Sequence, residues 1–411
     1  MGTKTENLQS LLDSALPFIR GELELIDPDL PRLIAVLRSS GASECWHKHG
    51  DFLHHLVSIF RILSLWKSPH PLALCGLFHS AYSNSYVNLA IFPPETSRPY
   101  VQSLIGPQAE DLVHMFCVVP RQSLIHDDLL FHFSDTELES AFMREEVPES
   151  LRDKIQRLVP PYGVTVKHIR TGQDLVVPRR LVASFLLMTI ADFSDQLFGF
   201  QDELFENSNG RLEFSGNNIT TLWPGDGKPG LWVNSLSRMA VLYRLLVREE
   251  ERRESENGFA NGGSKRGYEE IELVVPPVFE NCTMVLSCED EREARDLYWE
   301  VVCGGGGGGG GGGKIGLERQ RELLVRCIEK NPFVGEPHVL LAQIYVMQGR
   351  YEEGEREGER GLKLMLEWGS NWDKRVSWEG WVAWNRVLIM KAKERSWPQT
   401  SWGILNLGLV R

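Results

Sequence analysis

The stretch Phe52–Asn84, FLHHLVSIFRILSLWKSPHPLALCGLFHSAYSN, decides how the rest of the chain is read. Phe52, His55, Ile59, Ile62 and Trp66 recur at three- and four-residue steps, so they share one helical face. His55 therefore points inward with an apolar stripe, while His54 is turned about 100° away from it. Pro69 stops this helix or opens a second, because proline suits a first helical turn. The second helix carries Leu72, Cys75, His79 and Tyr82 on one face and Leu74, Leu77, Phe78 and Ala81 on the others. A helix that is apolar all round is buried. A histidine inside it needs a hydrogen-bond partner or a metal.

His79 follows His55 by 79 − 55 = 24 residues. The two helices with their histidines resemble the HD-domain superfamily of metal-dependent phosphohydrolases. They are most similar to the HD domains of the guanosine tetraphosphate hydrolases, with which the stretch aligns without a gap. The resemblance implies a helical bundle in which His55, His79 and a later aspartate hold a divalent metal. Asp192, in LLMTIADFSDQL, is similar to the family's closing aspartate. Leu181, Phe185, Met188, Asp192 and Asp195 follow helical steps, so Asp192 can face the same core.

The chain departs from that family at Ser80, where the resemblance places the paired aspartate, and at Ser83 and Asn84, where it places a glutamate and an aspartate. Divalent metals prefer carboxylate oxygen or imidazole, and a serine hydroxyl is a poor substitute. The remaining His55, His79 and Asp192 resemble a two-histidine-one-carboxylate set. The competing reading makes them hydrogen-bonded core residues of an inactive fold, and the lost carboxylates favour it; no cofactor follows from the residues themselves. His49, Ser80, Tyr82, Asn84 and Asp195 complete the candidate pocket, with His49 or Asp195 as the candidate base. The GLFHSAYS segment also resembles a signature of plant and bacterial proteins grouped under a domain of unknown function, over roughly residues 40–250. On that resemblance Ser80 is normal for the group, and no activity comes with it.

A length of 411 residues suits two or three domains, and 42% hydrophobic with 24% charged residues describes an ordinary globular chain with a sizeable core. A net charge of −12 argues against a nucleic-acid partner, which needs clustered Lys and Arg. The seven cysteines make no CxxC pair and suit a reducing compartment. The N-terminal MGTKTENLQSLLDSALPF lacks the apolar run of a secretory signal, and no stretch approaches the roughly eighteen apolar residues of a membrane span. A cytoplasmic protein without a membrane partner is expected.

The fold class expected is mainly α: an HD-like helical bundle followed by a short tetratricopeptide-like repeat domain. Residues 1–255 form the first domain, 256–267 a flexible Gly- and Asn-rich linker, and 268–411 the second domain, interrupted by poly-glycine at 304–313. Within the first, short helices are expected at 100–105 and 108–117, a small hairpin at 164–177 and an amphipathic helix at 231–248. His126-Asp127 is the literal His-Asp pair of the chain and reads as a loop or helix cap. His47 and His49 read as solvated loop histidines at the pocket mouth.

In the second domain, Leu341, Ala342, Tyr345, Gly349 and Tyr351 of LLAQIYVMQGRYEEGE are similar to the first helix and turn of the 34-residue tetratricopeptide motif. Gly354 and Gly361 stand where alanine is usual, and glycine weakens a helix by about 1 kcal/mol relative to alanine. Trp378, Trp381 and Trp384 lie at helical steps. Core packing is the commoner use of such a stripe, and a partner-binding groove is the functional one.

Two functions compete. The first is a non-enzymatic adaptor or ligand-binding module whose repeats bind a protein or peptide. The alternative is a metal-dependent phosphohydrolase with a remodelled site. An HD-type oxygenase would need further histidine ligands that the sequence does not place. The poly-glycine run permits a first prediction. Shortening Gly304–Gly313 to three residues changes unfolding stability by no more than about 1 kcal/mol, because loop-closure entropy varies slowly with length. A large fall in melting temperature would contradict this.

Overall fold

The computed structural model describes residues 7–47, 50–86, 89–94, 96–142, 147–206, 213–214, 227–258, 267–281, 284–304 and 315–407. The chain is mainly helical, with three short two-stranded antiparallel ribbons among the described residues. Packing divides it into two compact units, each discontinuous in sequence: Gly21–Gln196 with Ser235–Val285, and Met1–Arg20 with Leu197–Asn234 and Leu286–Arg411. The linker expected at 256–267 lies for the most part outside the described residues, as does poly-glycine beyond Gly304. No helix among the described residues is long and apolar enough to cross a membrane.

In the first unit the two central helices run Phe52–Leu65 and His70–Phe78. Asp51 caps the first by accepting the His54 backbone N–H, which satisfies an otherwise unpaired donor of the first turn. Lys67, at φ 57°, breaks the helix ahead of Pro69. The second helix ends at Phe78, one turn earlier than its apolar run suggests. His79 is its C-terminal cap, and residues 79–82 form a turn. Gly76 sets the distance between the pair: a β-carbon there would lie 2.6 Å from Leu63 Cδ1 and 3.0 Å from Ile59 Cγ2.

The helix Arg179–Asp195 completes the core and is buried from Arg179 through Ser194. It packs on Phe52–Leu65. A hairpin precedes it, with Val164 opposite Val177. Buried charge at its start is matched. Arg179 donates to the Val159 carbonyl and to Gln156 Oε1, both at 2.6 Å, and Arg180 donates to the Ile271 carbonyl at 2.5 Å. Glu250 supplies the opposite charge, 3.5 Å from Arg179 Nη1 and 3.6 Å from Arg180 Nε, which offsets the cost of interior cations. The helices at Arg98–Ile105 and Pro107–Val118 and the hairpin lie where the sequence placed them. His126 departs from its loop reading. It is fully buried in a π-helical turn, Gln122–Asp127.

In the second unit the helices Cys288–Gly304, Leu317–Lys330, Glu336–Met347, Tyr351–Trp368 and Trp378–Lys393 pack each on the next, and Leu8–Arg20 lies against Tyr351–Trp368. The tryptophan stripe is core, which corrects the partner-binding expectation for two of its members. Trp378 and Trp381 are buried, and their indole N–H groups donate to the carbonyls of Met365 at 2.8 Å and Asp373 at 2.9 Å. Trp384 is half-buried. The glycines where alanine was expected have a steric reason. A β-carbon on Gly361 would lie 2.9 Å from the Gly335 carbonyl oxygen and 3.1 Å from His338 Cβ, and one on Gly354 would lie 2.7 Å from Val346 Cγ2. The helices touch backbone to backbone.

Gly361→Ala should therefore destabilise the protein by about 1–2 kcal/mol, overpacking outweighing the propensity gain of about 1 kcal/mol. Thermal unfolding checks this, and an unchanged or higher melting temperature would refute the steric account.

Candidate metal centre

His55, His79 and Asp192 come from three separate segments and meet inside the first unit. Their ligand atoms all lie within 4.8 Å of one another, and all three residues are buried. The imidazole rings stand edge to face at 5.2 Å. That approach follows from the close helix pair at Gly76, whose carbonyl also fixes the second ring by accepting from His79 Nδ1 at 2.8 Å. Asp195 Oδ2 takes Nδ1 of His55 at 2.8 Å. Both histidines thus commit Nδ1 to an acceptor and turn Nε2 inward, the tautomer in which an imidazole serves as a metal ligand. Asp192 Oδ1 lies 3.3 Å from His55 Nε2.

Around a tetrahedral cation with bonds of about 2.0–2.2 Å, ligand atoms sit roughly 3.3–3.6 Å apart. Small side-chain rotations would close the present set to that size. The Gln196 amide stands between two of the ligands, with Nε2 3.3 Å from His55 Nε2 and donating to Asp192 Oδ1. It places N–H donors where a cation would sit, so the donor set fits a metal once Gln196 turns aside.

The two histidines differ in their electrostatics. Burial holds His79 down to about 4, helped by the charges of His55 and Arg121 and opposed by Asp192. It is neutral at physiological pH, as a ligand must be. Burial also acts to lower His55, but the hydrogen bonds to Asp192 and Asp195 prevail and raise it.

The other expected pocket residues divide. Ser80 Oγ accepts from Asn84 Nδ2 at 2.8 Å, and Asn84 Oδ1 accepts from Arg121 Nη2 at 3.1 Å. The position where the resemblance implied a metal-binding carboxylate is therefore a neutral link to a buried arginine. Tyr82 donates to Glu110 Oε1 at 2.9 Å. His49 lies outside the described residues. Four further residues belong here. His47, read from the sequence as a solvated loop histidine, is instead half-buried in the short strand Trp46–His47, with its ring 4.7 Å from that of His55. Gln196 could have been found, being one helical turn beyond Asp192. Arg121 carries no local signal, and His126 reads from the sequence as a loop or helix cap because no buried helical pair frames it.

A family model described as a domain of unknown function (DUF6817) matches residues 36–121. The matched segment includes His55, His79, Ser80, Asn84 and Arg121 and stops short of Asp192. No curated protein and no solved structure matched the chain.

The buried neutral histidines set an acid limit. Burial pushes His79 and His126 each to about 4, against 6.5 for an unperturbed histidine. Between those values the unfolded chain binds protons that the folded chain does not, so stability falls as pH drops from about 6.5 to about 4. His55 acts in the opposite sense: its raised value favours the fold at low pH and gives up that contribution as pH rises through it. His126→Gln should reduce the acid-side slope by up to about 1.4 kcal/mol per pH unit, one proton's worth. Unfolding free energies measured across that range decide it, and an unaltered slope would count against a neutral, buried His126.

Proposed function

We propose that the unit formed by residues 21–196 and 235–285 is a metal-dependent hydrolytic domain of HD-like type, with a remodelled ligand set and a phosphoester as its substrate class. The supporting observation is the convergence of His55, His79 and Asp192 with both imidazole Nδ1 atoms already committed to acceptors. Three protein ligands leave a coordination position open, as hydrolytic centres do and closed structural ones do not. A divalent cation bound there would lower the pKa of a water molecule and polarise a substrate oxygen. The chain's own residues have distinct parts. Asp195 orients His55 and raises its basicity through the Nδ1 hydrogen bond. Gly76 does the same for His79 through its carbonyl. Burial keeps bulk water from both ligands.

An interaction role for the second unit is a compatible second reading. The tetratricopeptide resemblance and the serial helix packing support it. So does an open groove of about 820 Å³, whose lining includes Leu12, Leu362, Ile389 and Met390, with Arg386 and Lys393 among its charged members.

Purified protein should take up about one equivalent of manganese or zinc, and Asp192→Asn or His79→Gln should weaken that uptake at least tenfold without loss of helical circular dichroism. Affinity should rise with pH across and above about 6.5, because the cation displaces a proton from His55 Nε2. Absence of stoichiometric uptake by the folded wild-type chain would remove the proposal.

A further inference from the structure

The first unit holds a second group of polar side chains beside the proposed centre, and part of their hydrogen-bonding capacity is unspent. Arg121 is fully buried. Its guanidinium carbon lies 3.6 Å from the centre of the Phe116 ring and 4.5 Å from that of Tyr86. Ring contacts of this kind leave the N–H groups at the edge of a guanidinium available for hydrogen bonds. Along that edge Nη2 donates to Asn84, while Nε and Nη1 have no partner among the described residues.

The Tyr86 hydroxyl and both ring nitrogens of His126 are likewise buried without a partner. Tyr86 and His126 both pack on Phe193, the residue after Asp192: His126 stacks on its ring at 5.9 Å, and Tyr86 meets it edge-on at 6.0 Å. The Phe116 ring beneath Arg121 also meets the His79 ring edge-on at 6.0 Å, so the two groups are neighbours.

Native interiors rarely leave a buried polar group unsatisfied, and here three side chains with unspent polar atoms, two from the Gln122–Asp127 turn and its N-cap Arg121 and one from the segment holding Tyr86, are gathered beside Phe116 and Phe193. They offer mainly donors: guanidinium N–H groups, a phenol and one imidazole N–H. A ligand that satisfies them must be rich in acceptors. Charge points the same way. Asp192 and Asp195 would balance a divalent cation, leaving Arg121 as uncompensated positive charge.

We propose that Arg121, Tyr86 and His126 form a recognition subsite for an oxyanion, the phosphoryl or carboxylate group of a small molecule, held against the His55–His79–Asp192 centre. The proposal rests on the metal-centre reading for its place in the reaction, but its donors are different side chains. Its failure and the failure of that reading can therefore be told apart.

The test uses calorimetric titration of the full-length chain with inorganic phosphate and with acetate, before and after manganese loading. Tyr86→Phe removes one unpartnered oxygen and should leave the fold intact. It should weaken anion binding at least threefold, and Arg121→Lys at least tenfold, both with manganese affinity unchanged within twofold. A preference for phosphate assigns the phosphoryl group, and a preference for acetate assigns the carboxylate. Should Arg121→Lys fail to fold, the Tyr86→Phe result decides alone. Anion binding that is equal in wild type and Tyr86→Phe, or manganese uptake with neither anion bound, would overturn the subsite. Anion binding in a chain that takes up no manganese would overturn the metal reading and leave this one standing.

Discussion

Gly76 is where the architecture of the first unit is decided. With no side chain between the central helices, Leu63 and Ile59 close onto the backbone of the second helix. The helices then come near enough for His55 and His79 to meet edge to face. The same residue supplies the carbonyl that holds His79 by Nδ1. Gly76 thus bears on the spacing of the two imidazoles through its missing side chain and on the orientation of one of them through its carbonyl. Interiors packed to crystal-like density cannot absorb a shift at such a contact without passing it on.

Around that pair the polar groups are arranged in two layers with different chemistry. Asp192, Asp195 and Gln196 come from the end of a helix that is otherwise buried over its whole length, so their positions are fixed by packing rather than by solvent. On the other side, Ser80 and Asn84 lead to Arg121. Where the resembled hydrolases carry negative charge, this chain has a neutral relay ending in a buried cation. Such an exchange would weaken the pull of the proposed centre on a metal and strengthen the pull of the proposed subsite on an anion.

The sequence disclosed the parts of this arrangement that depend on periodicity. His55 and Asp192 each sit on an inward face of a long helix, and three- and four-residue steps are enough to show it. The end of the second helix was not legible, because Leu72–Ala81 is apolar in every direction and has no cap signal before His79. Arg121 was missed and His126 misread for a different reason. Their burial comes from Phe116, Tyr86 and Phe193, contacts distant in sequence that no local pattern announces. The tryptophan stripe shows the same limit. Its helical spacing was evident, but whether that face met solvent or core depended on the carbonyls of Met365 and Asp373. The mainly helical class was readable throughout, whereas units assembled from separated segments, as both are here, leave no trace in composition.

His55, His79 and Asp192 are at most 7% exposed. Such depth is a kinetic statement as much as a geometric one. An occupant of that site cannot exchange faster than the helices part, and openings of packed core elements are rare events whose frequency follows local unfolding free energy. Uptake by the folded chain would then be paced by those openings rather than by diffusion. A metal or an anion added to it would be bound slowly, long after mixing is complete.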